Sequence, residues 1–232
     1  MDNLQWMRDN YSSIESLQFE IGEWADRTFP RSPEERAIGI LNHLKREVVE
    51  LMQAEQMTRL TFINEGEVPP PPMTIDERFA TMHKALREEA ADVTMLILNY
   101  AHGIPYDLVN YGWSQDEEWP ETSDLNFVQT SVDIMIRCEN SCVPKMMWMK
   151  ICPISYLWRC MVLFANKYEF NLLEEVKKKF EINQKRTWGP LDAEGVSSHV
   201  KVSDCHGSVV IDESSEFTKD HVDFLRNKSI AA

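Results

Sequence analysis

The chain has 232 residues, 43% of them hydrophobic, and a formal net charge of −14. This length allows one domain with a sizeable buried core. The excess of acidic residues argues against nucleic-acid partners and anionic membranes, because both carry negative charge themselves. A small anionic ligand would need a metal ion as a bridge.

The N-terminal residues and the cysteines predict a cytoplasmic protein. Met1 is followed by polar and charged residues, without the apolar stretch of a signal peptide. The five cysteines form neither a CxxC pair nor a zinc pattern, and four of them lie in apolar, aromatic-rich sequence. We interpret them as reduced thiols.

Apolar residues recur at helical spacing through most of the chain, which predicts an all-α fold. Capping residues, glycines and prolines place the helices at about 12–28, 33–56, 75–101, 125–138 and 172–187. Residues 143–170 are apolar, but charges and a proline interrupt them. They predict a buried helix or a subunit contact rather than a membrane span.

Three segments between or after the helices predict irregular structure. The prolines at 69–72 form a stiff stretch that no helix crosses, and residues 106–124 read as an acidic surface loop. Residues 192–232 are polar and mixed, which predicts a loosely packed tail. We therefore expect one domain over 1–191, with a helical insertion at 107–170.

Two pairs of acidic residues stand at helical spacing on neighbouring predicted helices. Glu47 and Glu50 lie at the edge of the apolar stripe of the second helix, since they are three residues apart. On the third helix Glu89 falls on the apolar face, and Asp92 flanks it one turn later. A carboxylate in a core-facing position costs several kcal/mol unless a cation or a hydrogen-bond donor lies nearby.

If the two helices pack together, these four carboxylates converge. An oxygen-only set of ligands suits a hard divalent ion such as Mg²⁺, with Mn²⁺ as an alternative. The other interpretation is a set of ordinary solvated acids, because ExxE and ExxD spacings are common in acidic proteins. The pattern by itself leaves both interpretations open.

The order of these motifs resembles that of the MazG-like all-α NTP pyrophosphohydrolases, whose signature is EExxE followed by ExxD. Here residues 46–50 read Arg-Glu-Val-Val-Glu and residues 89–92 read Glu-Ala-Ala-Asp, so that Arg46 replaces the first glutamate. Three further blocks are similar to the dATP/dGTP pyrophosphohydrolase branch of bacteria and their phages: residues 16–29, 41–44 and 179–188. The segments at 56–76 and 107–170 depart from that branch.

The resemblance implies Mg²⁺-dependent hydrolysis of a purine (deoxy)nucleoside triphosphate, dGTP or dATP, to the monophosphate and pyrophosphate. It makes Glu47, Glu50, Glu89 and Asp92 the metal ligands, with Glu47 or Glu50 as the general base. It also implies a homodimer or homotetramer in the cytosol of a bacterium or a phage-infected host.

The closing helix carries Lys179, Asn183 and Arg186 at spacings that place them on one face. By resemblance they form a triphosphate clamp; the alternative is a solvated basic face at the negative end of the helix dipole.

Two tryptophans and a glutamine are candidates to bind the base. Trp24 and Trp188 would stack on it, against the alternative of packing in the core. Gln18 would read a base edge.

Two other functions stay open. One is a dUTP or dCTP hydrolase on the same scaffold. The other is a non-catalytic helical protein that senses nucleotides; its mark would be the loss of an acid, and none of the four acids is lost.

Overall fold

A computed structural model describes residues 6, 8–63, 75–104, 108, 124–140, 147–202 and 209–211. The described chain is mostly helical, as predicted. Its helices in chain order are α1 (Tyr11–Thr28), α2 (Pro33–Ile63), α3 (Ile75–Gly103), α4 (Leu125–Asn140), α5 (Met147–Lys167) and α6 (Leu172–Lys185). Among them, none combines the length and apolarity that crossing a membrane requires.

Helix α3 lies at the centre and packs against α1, α2, α5 and α6. Its apolar stripe, which includes Leu86 and Val93, is fully buried. The stripe of α2, including Leu44 and Val48, is buried in the same core. This pairing of α2 with α3 brings together the helix faces that carry the two acid pairs.

Local signals explain where the helices begin and end. Ser32 and Glu35 cap α2 reciprocally, since the Ser32 amide donates to the Glu35 carboxylate over 3.1 Å and the Glu35 amide donates to Ser32 Oγ over 3.3 Å. Helix α2 continues beyond the predicted end at 56 because no glycine or proline lies between that position and Ile63. Helix α6 ends at Lys185, two residues earlier than predicted, where the first strand follows.

Helix α5 accounts for the apolar segment at 143–170. The segment forms a helix over 147–167, and Leu157, Trp158 and Phe164 are buried in the main core, as the prediction of a buried helix requires. Of the predicted acidic loop, only residues 108 and 124 are described. The prolines at 69–72 and residues 212–232 lie outside the described residues.

A small antiparallel sheet follows the helices: β1 (Trp188–Leu191), β2 (Ser197–Val202) and β3 (Val209–Ile211), in that spatial order. The turn between β1 and β2 is held by Asp192, whose Oδ1 accepts hydrogen bonds from the amides of Glu194 (2.8 Å) and Val196 (2.9 Å). Gly195 supplies the positive φ of +77° that this turn needs. Residues 192–202, which the sequence places in a loosely packed tail, form a hairpin with β1.

Candidate functional site

A cavity of about 730 Å³ lies between α1, α2, α3, α6 and the hairpin. A volume of this size suits a small-molecule ligand. Carboxylates line the part between the middle of α2 and α3. Aromatic rings line the part next to α1 and the hairpin: Trp24, Phe29, Trp188 and His199.

Three of the four predicted metal ligands converge at the acidic part. Glu47, Glu50 and Glu89 each place one carboxylate oxygen within 4.8 Å of the others. They form what we call the acidic cluster. Its geometry follows from two helices: the glutamates of α2 are three residues apart on one face, and α3 presents Glu89 opposite them.

Burial and mutual repulsion perturb two carboxyl groups of the cluster. Burial, followed by the charges of Glu47 and Asp92, raises the pKa of Glu50 to about 7. Burial, followed by the charges of Asp92 and Glu47, raises the pKa of Glu89 to about 8. The raised pKa of Glu89 agrees with its place on the apolar stripe of α3, where burial and neighbouring carboxylates disfavour its charge.

Glu47 differs from its two neighbours because it has a partner on its own helix. His43 Nε2 lies 2.9 Å from Glu47 Oε1, one turn away on α2. Burial favours the protonated acid, but the hydrogen bond and charge of His43, helped by Lys179 and Arg186, hold the pKa of Glu47 below its ordinary value. Glu47 is therefore the ionised member of the cluster.

Asp92 stands apart from the acidic cluster because Lys179 engages it. The Lys179 ammonium of α6 forms an ion pair with the Asp92 carboxylate of α3. Burial, together with Glu47, still raises the pKa of Asp92 to about 6. Asp92, the predicted fourth metal ligand, is thus paired with Lys179, for which the resemblance implies phosphate binding.

The three predicted clamp residues all line the cavity, but they bond to the protein as well. Asn183 is buried, and its Oδ1 accepts a hydrogen bond from Arg186 Nη1 over 2.9 Å. Lys179 reaches Asp92 at the acidic part. Lys179 and Asn183 line the cavity from one side of α6, whereas Arg186 lines it from the extended residue that follows the helix.

Trp24 and Trp188 line the cavity and also pack on each other. Their ring centroids lie 6.0 Å apart at 64°, and Phe29 lies 5.4 Å from Trp188. The Trp188 Nε1 donates to the Asn183 carbonyl oxygen over 3.0 Å, which fixes the indole. The rings therefore pack against each other and also form a wall of the cavity, and their stacking on a base stays a prediction.

Gln18 is not brought to this site. The residues of α1 that line the cavity begin at Ile21, and Gln18 lies about one helical turn before it. A side chain that far towards the start of α1 is displaced from the aromatic wall, so the structure does not support a role of Gln18 in reading the base.

Sequence reasoning assigned no contacts to Arg36 and Arg46, which also line the cavity. Arg36 bonds Asp26 and donates from Nη2 to Asn99 Oδ1 over 2.7 Å, which ties α1, α2 and α3 together. Arg46 donates from Nη2 to Asp192 Oδ2 over 2.9 Å and so holds the hairpin turn on α2. No local pattern marks such contacts, because they join distant segments.

Comparison of the chain with protein-family models, curated proteins and solved structures finds no match. The chemistry of the site therefore has to be argued from its residues. The acidic cluster offers oxygen ligands only, and its raised pKa values indicate a deficit of positive charge. Such a set fits a hard divalent cation and not a soft one.

Proposed function

We propose that this protein is a Mg²⁺-dependent pyrophosphohydrolase of purine (deoxy)nucleoside triphosphates, dGTP or dATP, with a MazG-like all-α fold. The observation that carries the proposal is the convergence of Glu47, Glu50 and Glu89 in an aromatic-walled cavity. The order of the sequence motifs, which resembles that family, supplies the reaction.

The donor set fits the metal. Glu47, Glu50 and Glu89 would hold Mg²⁺, and Asp92 lies next to them as the fourth acid. When bound, Mg²⁺, or Mn²⁺ in its place, neutralises phosphate charge and lowers the pKa of an attacking water. A ligand with four negative charges would otherwise be repelled by the cluster.

The protein's own side chains would bind the phosphates and the base and accept a proton. Lys179 and Arg186 place positive charge beside the acidic cluster, where they attract and orient the phosphates. Trp24 and Trp188 form the wall against which a base packs. Glu47 or Glu50 accepts the proton of the attacking water; His43 bonds Glu47 Oε1 over 2.9 Å, which leaves Glu50 as the freer carboxylate of the two.

The test is a panel of purine and pyrimidine (d)NTPs incubated with the purified protein and Mg²⁺, with the products separated by chromatography. The proposal expects a monophosphate and one pyrophosphate per turnover from dGTP or dATP. Release of a diphosphate and inorganic phosphate would refute the reaction. Turnover of dUTP or dCTP alone would refute the purine assignment, and binding without turnover would identify a nucleotide sensor.

The homodimer or homotetramer implied by the resemblance belongs to the same proposal. Light scattering coupled to size-exclusion chromatography measures it directly, and a mass of 27.1 kDa, that of one chain, would contradict it.

A further inference from the structure

Arg31 lines the cavity from the loop between α1 and α2, beside the aromatic wall. Its guanidinium carbon lies 5.7 Å from the centroid of the Phe29 ring. Its Nε is buried and has no hydrogen-bond partner. Across the part of the chain that the structure describes, no residue forms an ion pair or hydrogen bond with this guanidinium.

The acids near Arg31 are engaged elsewhere. Asp26 pairs with Arg36, and Asp192 pairs with Arg46. Burial, followed by the charge of Arg36, lowers the pKa of Arg31 although the charges of Asp192, Asp26 and Glu35 raise it, and Glu35 accepts from the Ser32 amide rather than from Arg31. Because Nε is buried, the Nη groups are the donors that Arg31 can offer to a ligand in the cavity.

The distance from Arg31 to the acidic cluster fits a nucleotide lying along α2. A Cβ atom at Gly39 would lie 2.5 Å from Arg31 Nη1, so the guanidinium sits directly on this glycine. Gly39 precedes Glu47 and Glu50 by eight and eleven residues, about 12 and 16 Å along the helix. An extended nucleoside triphosphate spans a similar distance from its phosphates to the far edge of its base.

With the phosphates at the acidic cluster, the base therefore lies between the aromatic wall and Arg31. A guanidinium donates two parallel hydrogen bonds, which match the two adjacent acceptors O6 and N7 of guanine. Adenine offers one acceptor, N7, beside a donor amino group. The guanidinium has only donors, so it cannot bond that amino group and binds adenine less well.

We infer that Arg31 is a specificity-determining residue that selects a 6-oxopurine base, as in dGTP and dITP, over adenine. The inference rests on the proposed function. It adds a preference within the purines and names the side chain that produces it.

The test compares kcat/KM for dGTP, dITP and dATP in the wild type, Arg31→Gln and Arg27→Gln. Glutamine keeps a hydrogen-bonding side chain, but its amide matches adenine rather than guanine. Arg27 is exposed at the end of α1 and serves as the matched control. Including dITP separates recognition of O6 from recognition of the 2-amino group, which dITP lacks.

The wild type and Arg27→Gln should favour dGTP and dITP over dATP by about 5- to 150-fold. Arg31→Gln should abolish or invert that ratio, with most of the change in KM. A fall for all three substrates at an unchanged ratio overturns the inference, because it makes Arg31 a phosphate-binding or structural residue. An unchanged ratio and rate overturn it too. If the wild type hydrolyses none of the three, the proposed function itself has failed.

Discussion

Lys179 on α6 forms an ion pair with Asp92 on α3, next to the acidic cluster. The two side chains are 14% and 16% exposed. The pair neutralises the acid that does not converge with Glu47, Glu50 and Glu89, and it fastens the closing helix to the centre of the fold.

Separating this pair should destabilise the metal-free protein. We expect Lys179→Met to lower the free energy of unfolding by about 2–3 kcal/mol, because Asp92 is left with little water and no partner. Urea denaturation of Lys179→Met, Asp92→Asn and the double variant in EDTA measures the coupling. The pair Lys178–Glu175, at 2.9 Å, is the control because its lysine is 63% exposed, and it should couple by no more than about 0.5 kcal/mol. Equal coupling energies in the double-mutant cycles of the two ion pairs would contradict this account.

Stability without metal should fall as the pH rises from about 4.5 to 8. The pKa values of Glu50 and Glu89, about 7 and 8, lie above those of the unfolded chain, so the folded state holds more protons in this window. Their contribution is complete below about pH 4.5 and is lost as the pH rises through the folded pKa values. Thermal melts at pH 5, 6.5 and 8 in EDTA test this, and Mg²⁺ should restore stability most at pH 8. A slope that Glu89→Gln leaves unchanged would show that other groups cause it.

Replacing one cluster carboxylate by its amide should impair metal binding. We expect Glu89→Gln and Glu50→Gln to weaken Mg²⁺ binding at least about 10-fold in calorimetric titrations, while Glu181→Gln, on the exposed side of α6, leaves it unchanged. Binding to the wild type should release protons, more at pH 7 than at pH 9. In EDTA at pH 8, Glu89→Gln should also raise the Tm by roughly 2–4 °C for each kcal/mol of repulsion removed. Wild-type affinity in both amide variants would refute the metal site.

Removing the Arg46 side chain should loosen the hairpin of β1 and β2 and leave the helices intact. Arg46 is 43% exposed, so its bonds to Asp192 and Glu194 contribute at most about 1 kcal/mol to global stability. Arg46→Ala should therefore change the Tm little but speed hydrogen exchange at the amides of Val196 and Val200. Unchanged exchange at those two amides would contradict a docked hairpin.

Residues whose role depends on local periodicity could be predicted from the sequence. The half-buried position of Glu89 followed from its place on the stripe of Leu86 and Val93, both of which are fully buried. The shared face of Lys179 and Asn183 followed from their spacing on one helix.

Contacts between distant segments could not be predicted in the same way. Arg46 meets Asp192 across 146 residues, and nothing near either position signals the contact. The Lys179–Asp92 pair likewise depends on how α6 packs against α3. Gln18 lies outside the cavity for a similar reason. Helical spacing predicts the face of the helix on which a residue lies, but not which residues of the neighbouring helix it meets.

The most direct measurement is pyrophosphate release from dGTP and dATP by the wild type and Glu89→Gln in parallel, each with Mg²⁺ and with EDTA. We expect the wild type to release pyrophosphate and the monophosphate in equal amounts only with Mg²⁺, and Glu89→Gln to lose this activity by about 100-fold or more. Equal activity in EDTA, or full activity of a folded Glu89→Gln, would contradict the account.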